Sequence, residues 1–411
     1  MSEGANSRDG RAERPWEGRG WSVSPHNFAE GVVVPPRPVQ LHDVTLRDGE
    51  ECADLVYTVD DKVRIAEALA HLGVRRTELF LTVPGWYEAV RAIMARRLPL
   101  DLYVTWDPDK TPRVLELGVR HVMVWYRASD VYQRHVLGRE REELLEDALA
   151  AIATARAAGC HVNLFMPEST RMELGQLRDT VRAAERAGAD AFTLVDSLAI
   201  TRPAALGYLV REVAAVTDRP VEVHCHNDYG LATACVLAAY EAGASALNCS
   251  VNAVGYRAGN AALDEVALAL AALYGVETGL RLELLPWVSQ IVSEITRIPI
   301  GYFKGVTGRG AMRVEQWGAS ARLEAAGERR AAFAFEPELV GRMPEVVVGK
   351  WSDLGAVEKR LRDFGLGIAA GQLATLLRRC QEASLGAHRP LNDGEFLALA
   401  RAAGATETEV R

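Results

Sequence analysis

His224 and His226 stand two residues apart, and Asp48 follows Arg47 directly; these are the residues of the chain best suited to hold a metal ion. Side chains two apart on a strand share a face, so both imidazoles can point one way while Cys225 points the other. Joined by a carboxylate such as Asp48, they would form a two-His, one-carboxylate site with positions left open for water or substrate. Asn260 closes a run with glycines at 255 and 259 that permit close backbone approach. Its carbonyl oxygen would serve as a neutral fourth ligand, or its side chain would cap the helix that follows. Glu168 offers a further carboxylate, and Ser197 a hydroxyl that either donates to a substrate carboxylate or caps a helix. Glu78 alternates in step with Phe80 and Thr82 and needs a buried cation, for which Arg47 is the natural partner.

Positioning these groups requires strands whose ends converge. Short β-branched runs alternate with longer Ala-, Leu-, Glu- and Arg-rich stretches. The strands are expected at 39–46, 76–83, 100–106, 119–126, 160–166, 190–196, 220–226 and 245–252. Helices are expected at 59–72, 85–97, 109–117, 139–158, 172–187, 203–216, 229–242 and 260–273. Eight strand–helix pairs predict an α/β fold, a (β/α)8 TIM barrel, whose functional groups gather at the C-terminal ends of the strands. An open doubly wound sheet would want a glycine-rich phosphate turn after its first strand, which is lacking. Residues 1–37 read as a disordered or loosely packed arm, 38–282 as the catalytic barrel, and 283–411 as a mostly α-helical C-terminal extension acting as lid or dimerisation element. That extension has helices expected at 283–300, 354–364, 370–383 and 393–403.

A net charge of −8 over 411 residues argues against a nucleic-acid partner, which would need clustered Lys and Arg. No apolar run approaches the length of a membrane span, and the arm lacks the apolar stretch of a leader, so a cytoplasmic protein is expected. The six cysteines form no C-x-x-C pair and read as reduced thiols.

Three segments in order carry a family resemblance: Asp43 to Glu50, with Thr45-Leu46-Arg47-Asp48-Gly49 within it; His224-Cys225-His226-Asn227-Asp228; and Gly255 to Ala261. They resemble the metal-dependent barrels that include 2-isopropylmalate, homocitrate and citramalate synthases and, more distantly, 3-hydroxy-3-methylglutaryl-CoA lyase. The likeness continues through Phe335 to Gly341 and Val348-Gly349-Lys350, covering roughly residues 39–400. It implies a divalent ion (Zn, Mn, Mg, Fe or Co) on Asp48, His224, His226 and Asn260 that chelates a 2-oxo acid. It implies Arg47 as the group stabilising developing negative charge, with Glu78 orienting it. The reaction implied is a Claisen-type condensation of an acyl thioester, acetyl-CoA or a carrier-bound acyl group, with a 2-oxo acid to give a malate-type acid. A homodimer is implied as well.

The departures bear on substrate and base. Met166 and Ser169 replace a family serine and aspartate around Glu168, Ser197 replaces a threonine, and Tyr132 stands where the family has a histidine. The post-barrel catalytic histidine falls in Val314-Glu315-Gln316-Trp317 and is absent. Glu168, Glu315 or Tyr132 is then expected to take the proton, in an acyltransferase retargeted to specialised metabolism. The alternatives are a carbon–carbon lyase or aldolase, against which stands the missing Cys between Asn252 and Asn260, and a catalytically silent metal-binding homologue.

Overall fold

The computed structural model describes residues 20–127, 129–328 and 332–408. Eight parallel strands close into a barrel in sequence order: β1 Gln40–Asp43, β2 Arg76–Leu79, β3 Asp101–Thr105, β4 His121–Trp125, β5 His161–Met166, β6 Ala191–Asp196, β7 Val221–Cys225 and β8 Ala246–Cys249. Around them lie α1 Val59–Leu72, α2 Trp86–Ala95, α3 Thr111–Glu116, the single turn α4 Asp130–Tyr132, α5 Arg141–Ala157, α6 Leu174–Ala187, α7 Pro203–Ala214, α8 Ala232–Glu241 and α9 Leu263–Tyr274. Each strand and each long helix falls within a residue or a few of its expected span. The seam is sealed by β1 on β8, with Gln40 to Asp43 opposite Ala246 to Cys249.

Local chemistry sets the helix ends. Thr58 and Asp61 form a reciprocal capping box at the start of α1, each side chain accepting the other's backbone N–H. Gly73 ends α1 at φ 104°, where a Cβ would stand 2.6 Å from the Gly279 carbonyl oxygen.

The floor of the barrel is polar. Arg76 donates to both carboxylate oxygens of Glu222 at 2.8 and 3.0 Å and to Gln40 Oε1 at 2.9 Å. Asn163 donates to Glu222 Oε2 at 3.0 Å and accepts from Thr193. The Tyr103 ring lies 4.6 Å beneath the Arg76 guanidinium. Burial works against the Arg76 charge, but Glu222 holds its pKa above the ordinary value.

The described chain forms two compact units, one spanning His26–Ile300 and the other running from Gly301 onward together with the residues up to Pro25. The boundary lies later than the expected 282: α10 (Leu285–Thr296), with Leu285, Val288, Ile291 and Val292 buried, packs on α1 within the first of these units. The second unit contains α11 Gly318–Ala325, α12 Leu354–Asp363, α13 Ala370–Ala387 and α14 Asp393–Ala402. It adds two pairs of two-residue strands, β9 Arg313–Val314 with β10 Glu345–Val346 and β11 Leu366–Gly367 with β12 Thr406–Glu407. Its core, with Val357, Leu361, Leu376, Cys380 and Phe396, is its own.

In its described part the expected loose arm makes a few contacts and is otherwise largely exposed. Trp21 bridges to Phe335, Ser22 donates to the Ala334 carbonyl, and Arg37 lies over the Tyr240 ring. Residues 1–19 of that expectation lie outside the described residues. All six cysteines are free thiols.

Because Arg76 would be left as an unpaired buried charge, Glu222→Ala should lower stability by about 3–5 kcal/mol in urea unfolding.

Candidate active site

The turn after β1 is built by Asp43. Its carboxylate accepts the Thr45 N–H and hydroxyl at 2.9 and 2.8 Å, and three successive N–H groups, of Arg47, Asp48 and Gly49, converge on the Val44 carbonyl. Thr45 Oγ1 in turn accepts from Val251 N at 2.9 Å, tying this turn to the loop after β8. Arg47 and Asp48 are thereby delivered to the C-terminal mouth of the barrel.

Arg47 is 1 % exposed. Its Nε donates to Glu78 Oε1 at 2.6 Å, and its Nη1 donates to Asp48 Oδ1 at 2.7 Å and to Glu51 Oε1 at 2.9 Å. Phe165, Phe80 and Trp125 surround the guanidinium at 5.2, 5.5 and 5.6 Å from their ring centres. Burial opposes the charge, but Glu78, Asp48 and Glu51 together raise the Arg47 pKa above its ordinary value. Nη2 is buried with no hydrogen-bond partner. Burial likewise opposes a charged Glu78, yet Arg47 brings its pKa down to about 2.

His224 and His226 approach Asp48 Oδ1 with their Nε2 atoms at 3.6 and 3.9 Å. Cys225 faces the other way, where Cys235 of α8 is a neighbour, so the alternation expected of this strand is present. One ligand atom from each of Asp48, His224 and His226 lies within 4.8 Å of the others, and all three residues are buried. Asp48 is held well below its ordinary pKa: burial pushes up, while Arg47 and the two imidazoles more than offset it. Burial, then the neighbouring His224, pushes His226 down to about 4, so it is neutral at pH 7.

Asn260 does not cap α9, whose N-cap is Ala262. Its Nδ2 donates to Asp48 Oδ2 at 2.6 Å and to the Val254 carbonyl at 3.1 Å, leaving Oδ1 buried and without a donor. His224 Nδ1 and Nε2 and His226 Nδ1 are also buried without partners. Two imidazoles with unpartnered ring nitrogens, an ionised carboxylate and an unclaimed amide oxygen together fit a divalent cation.

The loop after β8 reaches the cluster through glycine. A Cβ on Gly255 would stand 2.5 Å from Asp48 Oδ2 and closer still to Asn260 Nδ2, and the next N–H, of Tyr256, donates to Asp48 Oδ2 at 3.2 Å.

A cavity of about 500 Å3 opens over these groups and is lined by Arg47, Asp48, His224 and His226 together with Glu168, Ser197 and Tyr132. Glu168 sits in the left-handed region at φ 63°. Its backbone N–H donates to Ser197 Oγ at 2.9 Å, and its buried Oε2 faces Arg171 at 3.6 Å. Ser197 is therefore no helix cap, since α7 begins at Pro203. Glu315 belongs to the second unit, where its Oε2 accepts the Trp351 N–H at 2.7 Å and Lys350 lies 3.8 Å from Oε1. Sequence reasoning passed over Glu51 as an Arg47 partner, the aromatic cradle, and Arg127, which lines the cavity just past β4. The strand-end rule that singled out the histidines would have flagged Arg127 too.

Fold and site together define a (β/α)8 barrel with an Asp–His–His triad at its mouth that could hold a metal ion. The chain belongs to the HMGL-like family, whose profile matches residues 38–292. A probable 2-isopropylmalate synthase of Methanopyrus kandleri is 34% identical over 84% of this chain and 70% of its own length. A homocitrate synthase of the same organism is 36% identical over 80% and 84%, and an (R)-citramalate synthase of Methanocaldococcus jannaschii is 32% identical over 88% and 74%. Among solved structures, the hydroxymethylglutaryl-CoA lyase of Bacillus subtilis superposes with a TM-score of 0.60 at 19% identity, covering 65% of this chain and 96% of its own. Among the described residues, no helix is long and apolar enough to cross a membrane.

Two outcomes follow. Gly255→Ala should crowd Asp48 and Asn260 and cost about 1–3 kcal/mol of stability in thermal or urea unfolding. Glu78 ionises near 2 when folded against an ordinary 4.5, so its contribution is complete above pH 4.5 and lost as pH falls from there through 2. A stability–pH curve of Glu78→Gln should lie below the native one at pH 7 and be flatter across that window.

Proposed function

We propose that the protein is an acyltransferase that condenses an acyl thioester, acetyl-CoA or a carrier-bound acyl group, with a 2-oxo acid to give a malate-type 2-hydroxy acid, water releasing the thiol. The observation that carries this reading is the convergence of Asp48, His224 and His226 beside a buried guanidinium with one free edge. The names of the synthase relatives support it.

In this reading Asp48, His224, His226 and Asn260 hold a divalent cation. Such an ion supplies Lewis-acid polarisation of the oxo acid's carbonyl. The Arg47 Nη2 donor meets the oxygen that gains negative charge, and it is pre-oriented because Glu78, Asp48 and Glu51 fix the rest of the guanidinium. Glu168 takes the proton from the acyl methyl group. Within the cavity it is the carboxylate least committed elsewhere, since Asp48 and Glu51 both accept from Arg47. Ser197 holds the Glu168 backbone in its left-handed turn, and Tyr132 lines the wall against which the oxo acid's side chain rests. In this reading the protein works as a homodimer in the cytoplasm.

The test is thiol release from acetyl-CoA by the metal-loaded protein against a panel of 2-oxo acids. Release with at least one acid, abolished together with metal retention in Asp48→Ala, is expected; no release with any acid would overturn the reading. Glu168→Gln should still bind the oxo acid while losing solvent deuterium exchange into the acyl methyl by at least about 100-fold.

A further inference from the structure

Among the described residues, the arginines around the barrel mouth are paired, with Arg127 the exception. Arg47 is enclosed by three carboxylates. Arg257 forms a two-pronged pair with Asp228 at 2.8 and 2.9 Å, and Arg171 faces Glu168. Arg127 lines the same cavity, yet among the described residues its guanidinium has no carboxylate and donates no hydrogen bond. The acid nearest it in sequence, Asp130, is engaged by Arg141.

The Arg127 guanidinium is held by aromatic rings. It lies 5.0 Å from the centre of Trp125 and 4.8 Å from that of Tyr132. Trp125 also flanks Arg47 at 5.6 Å, so one indole carries both cations. The segment bearing Arg127 is fixed: the buried Gln133 donates to the Arg127 carbonyl at 2.7 Å, and Ser129 caps the turn that carries Tyr132. Rings against its faces leave a guanidinium's edge free, and that edge matches carboxylate and phosphate geometry. An aliphatic group packed there would strip water from the cation and give it nothing in return.

We infer that Arg127 binds a second anionic group at the far end of the 2-oxo acid, so that the substrate is a 2-oxo acid with a distal carboxylate or phosphonate and not an alkyl one. The inference rests on the condensation reading for the word substrate, but the recognition itself does not need turnover. The ketone end lies over Asp48 and the histidines, and the Trp125 wall leads from there to Arg127. Tyr132 stands beside the same guanidinium and serves as its platform.

The experiment uses the full, metal-loaded chain and size-matched acid pairs: oxaloacetate against 2-oxobutanoate, and 2-oxoglutarate against 4-methyl-2-oxopentanoate, with phosphonopyruvate as a further charged probe. Calorimetry should show the native protein favouring a charged acid over its neutral match. In Arg127→Gln that preference should shrink by about 10- to 100-fold, the size of a lost charge-assisted contact. Arg127→Lys, which keeps the charge but not the fork, should fall between the two. If thiol release is also seen, the loss should appear in KM for the charged acid, with KM for acetyl-CoA unmoved. A preference equal in native and variant proteins, or a native preference for the neutral acids, would overturn the inference. So would a change confined to KM for acetyl-CoA, which would place the anion on the thioester carrier. Calorimetric preference without thiol release would uphold Arg127's role while sinking the condensation reading.

Discussion

A guanidinium buried to the last hundredth of its surface has to be paid for by its surroundings, and the mouth of this barrel is arranged to do so for Arg47. Glu78 reaches it from β2, and Asp48 and Glu51 from the turn that carries Arg47 itself, while three aromatic rings flank it and one edge stays free. Three carboxylates around one cation leave a net negative charge, which favours a cation as the next occupant. Asp48 shares that role: one of its oxygens meets Arg47 and the histidines, and the other accepts from Asn260 and from Tyr256 N. The arginine therefore orders the carboxylates, and the carboxylates set the charge that the histidines complete.

The polar floor serves a different end. Arg76, Glu222, Asn163 and Thr193 are joined by hydrogen bonds within the barrel, on the side away from the strand ends where chemistry gathers. Between floor and mouth lie His42 and Glu78, 3.4 Å apart, so the interior is polar over much of its length. A closed parallel barrel tolerates this only because each charge meets its partner within the same shell of strands.

How far the sequence could be read differs from element to element. The eight βα units were legible because hydrophobic periodicity and helix caps such as Thr58 and Gly73 act within a few residues. The triad was legible because a period of two on β7 fixes where His224 and His226 face. The Arg47–Glu78 pair followed from the cost of burying an acid. The allegiance of α10 was not readable, since its amphipathic pattern specifies a helix but not the surface it covers. Nor were β9 and β10, as two residues cannot show an alternation. The partner of Glu315 was not readable either, since the Trp351 N–H that its carboxylate accepts lies 36 positions along the chain. Arg127 was within reach of the strand-end rule, but its aromatic neighbours, which set it apart from a solvated surface charge, show only in the fold.

The join between the turn after β1 and the loop after β8 has a bearing on the order of events during synthesis. Asn260 follows Asp48 by 212 positions, and Val251 closes on Thr45 across 206. As the chain leaves the ribosome, Asp48 and Arg47 emerge early and both histidines late, and the two ends of the cluster meet only when the last strand seals the first. A nascent barrel thus has no completed cluster of these side chains, and the seam that closes the barrel is the same event that assembles them.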